Sequence, residues 1–325
     1  MPDISPGPLP AFIRAPLRAL LRVWARYPKA PGYLYQIVER WGERLSVEPL
    51  QGRLFNGAMM WCDLADHVQR QIYFRGAYEP IESYLVRNLL QRGMIVIDVG
   101  ANVGQYTLIA GMEVGAEGEV HAFEPVPTTC KRLRDHVLAN GLAAIVRVNQ
   151  LALWHQTGAI QLRRPSGAGN AALYTVAELE EPEESVFTTA IRLDDYVIQK
   201  QIKRVDFMKL DVEGSEWFVL QGATTVLSHW RPLLLVEINR QTCRRLGYGP
   251  EMIWDSLKPY GYSMWSIGES PESCCSLSTL DRVQLANVIF HAQPLPENVT
   301  KGWTYKSILR FHRRGDSYLQ TQRTA

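Results

Sequence analysis

The pattern of apolar and polar positions changes character near residue 94. Upstream, residues 11–27 read as an amphipathic helix. Phe12, Ile13, Leu17, Leu20, Leu21 and Trp24 recur at helical spacing, and Arg14, Arg18, Arg22 and Arg26 recur every fourth position. Pro16 places the start of the regular part near that residue, and Pro28 and Pro31 end it. A helix carrying Leu34, Ile37 and Val38, a short hairpin over 52–62 and a helix over 79–92 follow. From residue 94, compact apolar runs at 94–98, 119–124, 145–148, 207–211 and 233–237 predict strands. They alternate with helices running through 112 and over 127–140, 215–228 and 250–258. That alternation predicts an α/β fold with a mostly parallel sheet covered on both faces. Strands at 262–267 and 286–291 close the series with no long helix between them, so an antiparallel hairpin at one edge is expected.

The stretch 152–203 breaks the alternation. It reads as a hairpin over 151–162 turning at Thr157-Gly158, a loop over 165–182 and a strand over 187–192. Insertions of this length in a compact domain usually form binding loops. The acidic run 180–184 reads as a solvated part of that loop. The expected organisation is an N-terminal helical extension (1–75), a main domain (76–293) with the 152–203 insertion on the substrate side, and a polar tail (294–325) with Arg313 and Arg314 on its surface.

Hydrophobic residues are 46% of the 325 and charged residues 21%, which excludes a disordered chain, a collagen-like chain and a coiled-coil rod. Lys plus Arg is 35 against 33 for Asp plus Glu, and a net charge of +2 does not predict a nucleic-acid binder. Cys62, Cys130, Cys243, Cys274 and Cys275 show no metal-type spacing and read as reduced thiols of a cytoplasmic protein. No secretory leader is evident, and 11–27 is too short and too charged to span a bilayer. Two readings of 11–27 are open: an interfacial helix on an anionic membrane or a partner, or a helix docked by its apolar stripe on the body. The second is favoured.

The central chemical signal is Asp98-Val-Gly-Ala-Asn-Val-Gly104, a turn between an apolar strand and a helix, where open sheets bind ligands. Gly100 and Gly104 allow close backbone approach. The turn lacks the glycine spacing of a diphosphate cradle and the lysine of a P-loop. Asp98 would repel a diphosphate and welcome a ligand ammonium, and Asn102 suits a zwitterion. Glu124 ends the next strand, about twenty residues on, where a carboxylate accepts hydrogen bonds from both ribose hydroxyls. A nucleoside carrying an amino acid fits both. In Lys209-Leu-Asp-Val-Glu-Gly-Ser-Glu216, Asp211 ends a strand on the same sheet edge as Asp98, and Glu237 ends the next strand. Helix capping accounts for Glu216 and part of Glu213. Asp211, Glu213 and Glu237 offer a general base, or oxygen ligands for one Mg²⁺. No histidine lies in these segments, which speaks against zinc.

Asp98-Val-Gly-Ala-Asn-Val-Gly-Gln-Tyr-Thr107, Ala122-Phe-Glu-Pro125, Leu193-Asp-Asp195, Lys209-Leu-Asp-Val-Glu-Gly214 and Arg231-Pro232 with Glu237 resemble the FkbM family of S-adenosylmethionine-dependent methyltransferases. Gly76-Ala-Tyr-Glu79 extends the resemblance, which runs over 73–291. It implies a class I methyltransferase (Rossmann-like) fold, with a seven-stranded sheet whose last strand is antiparallel. It also implies S-adenosylmethionine as cosubstrate and O-methylation of sugars or natural products. By position, Glu79, Asp98, Gly100, Ala101, Asn102, Tyr106 and Thr107 fall among the residues binding the cofactor, the glycine turn at its methionine end. Glu124 would take the ribose, Pro125, Leu151 and Ala152 the adenine, and Asp211 would lie near the transferred methyl. Leu153-Trp154-His155 departs from the family pattern on the adenine side, so His155 is left as either an adenine neighbour or an ordinary surface residue.

In-line methyl transfer needs a nucleophile held behind the methyl carbon. Asp211, alone or with Glu213, is expected to orient or deprotonate an acceptor hydroxyl; a metal bridged by Asp211 and Glu237 is the weaker version. Trp154, Tyr174 and Trp217 are candidates to line the acceptor pocket. A nicotinamide-dependent oxidoreductase and a non-catalytic scaffold that kept the fold are the alternatives. Asn102 in the turn disfavours the first, and retention of Asp98, Asn102 and Glu124 disfavours the second.

Overall fold

The computed structural model describes residues 7–25, 31–166, 174–267 and 275–295. Cys274, Arg313, Arg314, the end of 11–27, part of the 165–182 loop and most of the tail therefore lie outside the described residues. Among those described, the chain divides into two units, 7–84 and 85–295.

In the N-terminal unit, α1 (Ala11–Ala25) starts five residues before Pro16, which corrects the expected start. Ile13 and Arg14 donate to Pro10 O at 2.9 and 3.2 Å, so the first turn forms without Pro16. The N–H that Pro16 lacks costs the helix one bond inside its second turn. Arg18 Nη1 donates to Leu45 O at 2.6 Å, and the Arg22 guanidinium lies 4.6 Å from the Tyr73 ring centre. Then come α2 (Pro31–Trp41), β1 (Leu50–Arg53), β2 (Met59–Cys62) and α3 (His67–Arg75). β1 and β2 form the expected antiparallel hairpin. α3 was not expected; Asp66 caps it through Gln69 N–H, and Glu39 of α2 binds its His67, Arg70 and Gln71 side chains. α4 (Pro80–Leu89) spans the division between the units.

The second unit holds β3 (Ile95–Val99), α5 (Gln105–Val114), β4 (Glu119–Phe123), α6 (Pro127–Ala139) and β5 (Val146–Asn149). β6 (Ala152–Leu153), β7 (Gly158–Pro165), β8 (Pro182–Ile191) and α7 (Leu193–Gln199) occupy the insertion. β9 (Phe207–Leu210), α8 (Glu216–Gln221), α9 (Thr224–His229), β10 (Leu233–Asn239), α10 (Arg240–Arg245), α11 (Glu251–Leu257), β11 (Ser263–Ser266), β12 (Ser276–Leu277) and β13 (Leu285–His291) follow.

The main sheet runs β12-β11-β13-β10-β9-β3-β4-β5. β5, β4, β3, β9 and β10 are parallel, and β13 is antiparallel to β10 and to β11. This is the class I methyltransferase arrangement of seven strands with its antiparallel last strand, widened at one edge by the two-residue β12. β11 and β13 pair as expected, but β13 sits inside the sheet, because its other edge completes β10. The central strands are buried on both sides: every residue of β9 is buried, the charged Lys209 among them. One large core joins Ile97, Val99, Phe123, Met208, Leu210, Leu234 and Val236 to Tyr196, Leu220, Val226, Ile253 and Phe290.

Two expectations are corrected. The hairpin is not 151–162. β7 pairs antiparallel with β8, while β6 pairs parallel with the other edge of β8, so Ala190 has Ala152 on one side and Gly158 on the other. Glu183 and Glu184 of the supposed acidic loop consequently lie in β8. The helix expected over 215–228 is broken into α8 and α9. Gly222 packs so closely on the chain that a Cβ there would lie 2.1 Å from Trp154 O. Buried Asp194, at the start of α7, accepts from the N–H groups of Thr225 and Val226 and from Thr224 Oγ1, capping a separate α9.

Candidate active site

Register sets the site. Val99 of β3 pairs with Phe123 of β4 and Leu210 of β9, and Leu210 pairs with Val236 of β10. The next residue along each strand is Gly100, Glu124, Asp211 and Glu237, so these four stand at one level on the carboxyl edge. Glu237 does not end its strand as expected; β10 continues to Asn239 because β13 pairs with it, Asn287 opposite Glu237.

The turn after β3 is fastened to β4. Gly100 and Ala101 both donate to Phe123 O at 3.0 Å. Gly100 has φ 75, and a Cβ on it would lie 1.9 Å from Asp211 O, so this position needs glycine twice over. Asn102, also left-handed at φ 51, accepts from Val103 N–H at 2.7 Å and donates its own N–H to Glu124 Oε2 at 2.9 Å. Glu124 Oε1 accepts from Val126 N–H at 2.9 Å. Glu124 is buried, and burial pushes its pKa up to about 7.

Asp98 is 2% exposed. Its Oδ2 accepts from Thr107 Oγ1 at 2.5 Å, and its buried Oδ1 has no hydrogen-bond partner. Burial raises its pKa, opposed by Lys209 and Thr107. Ala101, Tyr106 and Thr107 are buried around the same turn. Lys209, to which sequence reasoning gave no role, is buried with Nζ 2.8 Å from Asp211 Oδ2 and 4.5 Å from the centre of the Tyr106 ring. A lysine inside an apolar strand, two residues before an acid, was the signal available for it.

The turn after β9 is held on several sides. Glu213 has φ 53, and its carbonyl accepts from Thr175 Oγ1 of the insertion at 3.4 Å. Gly214 has φ 95 and its carbonyl accepts from Tyr248 OH at 2.7 Å. Glu216 does more than cap a helix. Its Oε1 accepts from Val212 and Gly214 N–H at 3.0 and 3.3 Å, latching the turn, and its buried Oε2 has no partner. Burial, with neighbouring Asp211, pushes Glu216 up to about 7; burial, Asp211 and Glu216 push Glu213 up to about 8.

Pro125 follows Glu124 directly, and Leu151 and Ala152 follow β5, whose Asn149 O accepts from Glu124 N–H at 3.0 Å. Trp154, His155, Trp217, Phe218 and Tyr248 form an aromatic cluster, Trp154 stacked on Phe218 at 4.4 Å between ring centres. Tyr174 is buried and donates to Glu184 at 2.6 Å. Glu79 belongs to the N-terminal unit, where it has φ 48 and its carbonyl accepts from Ser83 N–H in the first turn of α4.

The second unit thus gathers Asp98, Glu124, Asp211, Glu213 and Glu216 with Lys209 as the buried cation among them. An acidic set with an unsatisfied Asp98 oxygen suits a cationic ligand bearing donors and suits a diphosphate poorly. Among the described residues no three His, Cys, Asp or Glu side chains are disposed to hold a metal ion, so the Mg²⁺ version through Asp211 and Glu237 has no support. The described cysteines, Cys62, Cys130, Cys243 and Cys275, are free.

Comparison with known proteins gives a concordant result. The 31-O-demethyl-FK506 methyltransferase FkbM of Streptomyces tacrolimicus is 31% identical over 160 residues, 41% of this chain and 60% of that protein. The hexuronic acid methyltransferase AglP of Haloferax volcanii is 28% identical over 161 residues, 49% of this chain and 62% of that protein. The chain thus spans about 60% of the length of these curated relatives. The crystal structure of methyltransferase FkbM from Methylobacillus flagellatus shares 16% identity, covering 85% of this chain and 58% of that one at a TM-score of 0.37. The model of the methyltransferase FkbM domain matches residues 98–264, over half the chain, from the acid of the glycine turn to β11, and the protein belongs to that family.

Proposed function

We propose that the protein transfers a methyl group from S-adenosylmethionine to a hydroxyl oxygen of a small molecule, a sugar or a natural product. The observation that carries this reading is the pair of buried carboxylates flanking the Gly100 turn, Asp98 with an unsatisfied oxygen and Glu124 bound to the turn's own backbone. Asp98, Gly100, Ala101, Asn102, Tyr106 and Thr107 would hold the amino-acid end, Glu124 the ribose, and Pro125, Leu151 and Ala152 the adenine. Relatives named for 31-O-demethyl-FK506 and for hexuronic acid support an oxygen acceptor. The intact acidic set supports a catalyst over a scaffold.

S-adenosylmethionine supplies an electrophilic methyl carbon on a sulfonium. The work of the chain is to place an oxygen behind that carbon and receive its proton. Asp211, its Oδ2 held by Lys209, orients the acceptor hydroxyl. Glu213, pushed up to about 8, is a stronger base than an ordinary carboxylate and takes the proton where it is ionised, toward alkaline pH, and Glu237 lines the same rim. In this reading residues 76–293 form the transferase, and the 152–203 insertion contributes acceptor contacts from the side where Thr175 meets Glu213.

Calorimetric titration tests the reading. S-adenosylhomocysteine should bind saturably and NAD should not. Glu124→Gln, which keeps an oxygen for Asn102 N–H but turns an NH2 toward Val126 N–H and leaves one acceptor fewer for the ribose, should weaken binding about tenfold or more. A folded protein that ignores S-adenosylhomocysteine, or a variant that binds it unchanged, refutes the reading.

A further inference from the structure

Helix α1 is turned in an unusual sense. Its residues advance by about 100° each, so Phe12, Pro16, Ala19, Leu20 and Val23 share an arc of about 100°. That arc faces solvent: Phe12 is 79% exposed, Leu20 62% and Val23 59%. The opposite side turns inward, where Leu21 is buried, Arg18 donates to Leu45 O and Arg22 lies over Tyr73. A free-standing surface helix places its polar side outward. This one shows water an apolar stripe about 16 Å long.

The surroundings of the stripe are cationic. The described residues of 7–45 include Arg14, Arg18, Arg22, Arg40 and Arg44 against two acids, Glu39 and Glu43. Glu39 is already bound to Arg70 and His67. The turn over 42–45 lies against the start of α1: Leu9 N–H donates to Arg44 O at 3.0 Å, and Arg44 Nε donates to Gly7 O at 2.9 Å. There the Arg40 and Arg44 guanidinium groups stand 5.8 and 5.0 Å from the ring centre of the half-exposed Trp41. A half-exposed tryptophan flanked by arginines, next to the segment that leads into a helix with an exposed apolar face, is the composition that anchors at a lipid–water boundary.

We propose that α1 lies flat on an anionic lipid surface, Phe12, Leu20 and Val23 entering the acyl boundary and Trp41, Arg40 and Arg44 seated among the headgroups. No helix of the described residues is long and apolar enough to cross a membrane, so the contact is peripheral. Two magnitudes favour lipid over a second copy of the chain. A stripe 16 Å by one helix width covers about 160 Å², whereas a stable dimer buries about 800 Å² per partner. Each cation near an anionic surface adds attraction that a like-charged second copy would turn into repulsion.

The test is co-sedimentation of the full chain with vesicles of phosphatidylcholine and phosphatidylglycerol in equal parts, and with pure phosphatidylcholine vesicles. Expected are binding to the anionic vesicles that weakens with salt, little binding to the neutral ones, and a drop of about tenfold or more in Phe12→Ser/Leu20→Ser. Those side chains are exposed, so the variant should keep the parent's thermal midpoint; Val23→Asp is the second variant should it not. No binding to anionic vesicles overturns the proposal, as does binding that both variants leave unchanged. So does a concentration-dependent dimer, seen by analytical ultracentrifugation and abolished by the variants, in a chain that ignores lipid.

Discussion

Gly100→Ala perturbs the point where the two rim turns meet. The new Cβ would lie 1.9 Å from Asp211 O, whereas real Cβ contacts essentially never fall below 3.0 Å, so that carbonyl must retreat by more than 1 Å. Its peptide plane also carries Val212 N–H, which donates to Glu216 Oε1, so the retreat loosens the latch of the second turn. Left-handed backbone on alanine costs about 1–2 kcal/mol. A weakened bond to a buried carboxyl adds about 1–2 kcal/mol, and overpacking adds about 1–3 kcal/mol. The expected loss is about 4 kcal/mol, with a fall in S-adenosylhomocysteine affinity. Gly141→Ala is the control: Gly141 is also left-handed, at φ 68, but its Cβ would meet nothing within 4 Å, so it should lose only about 1–2 kcal/mol. Urea unfolding followed by circular dichroism measures both. If the two variants lose the same stability, the close approach of Gly100 to Asp211 is not a constraint and this account of the site is wrong.

Three further outcomes are expected. Asp211→Asn should lower turnover by about a hundredfold or more while leaving S-adenosylhomocysteine affinity within a few fold, as single-turnover kinetics and calorimetry would reveal; unimpaired turnover removes Asp211 from the chemistry. Asp194→Ala should cost about 2 kcal/mol in urea unfolding by uncapping α9, without changing ligand affinity. Glu124 and Glu216, at about 7, and Glu213, at about 8, all lie above the ordinary carboxylate value of 4.5. The folded state therefore holds their protons more tightly than the unfolded state does. Their contribution is fully present below pH 4.5 and is lost as pH rises through 7 and 8. The ligand-free protein should unfold at lower urea at pH 8.5 than at pH 5.5 (by roughly 2 kcal/mol or more), and Glu216→Gln should flatten the profile; a stability that climbs with pH over that range contradicts the burial of these acids.

The parallel sheet could be read from the chain because the central strands are largely buried and leave short, mostly apolar runs, unbroken over 94–97 and 233–236 and interrupted in β9 by Lys209 alone. The rim was readable because an acid stands at or next to the end of β3, β4 and β9 (Asp98, Glu124 and Asp211); Glu237 misled by two residues because its pairing with β13 outlasts the apolar run. α3 was hidden. Its polar residues Gln69, Arg70 and Gln71 are buried along with Val68, Ile72 and Phe74, which breaks any amphipathic pattern, and they are satisfied by Asp66 and by Glu39, which is 28–32 residues away from the side chains it binds. The break between α8 and α9 likewise depends on Trp154 and Asp194, and helical periodicity over 215–228 carries no trace of either. Glu216 looked like a capping residue because Val212 and Gly214 become its donors only once the turn is built.

The insertion has two ends of different character. At its root, Leu153 and Ile191 belong to the large core alongside Phe123, whereas Leu162 and Tyr174 pack in a separate small cluster with Val126, whose N–H is held by Glu124. Variation confined to the ends of β7 and β8 beyond this small cluster leaves both the root and Val126 undisturbed. If the insertion contacts the acceptor as proposed, exchanging the outer half of β7 and β8 is the change that should alter acceptor choice while sparing the large core.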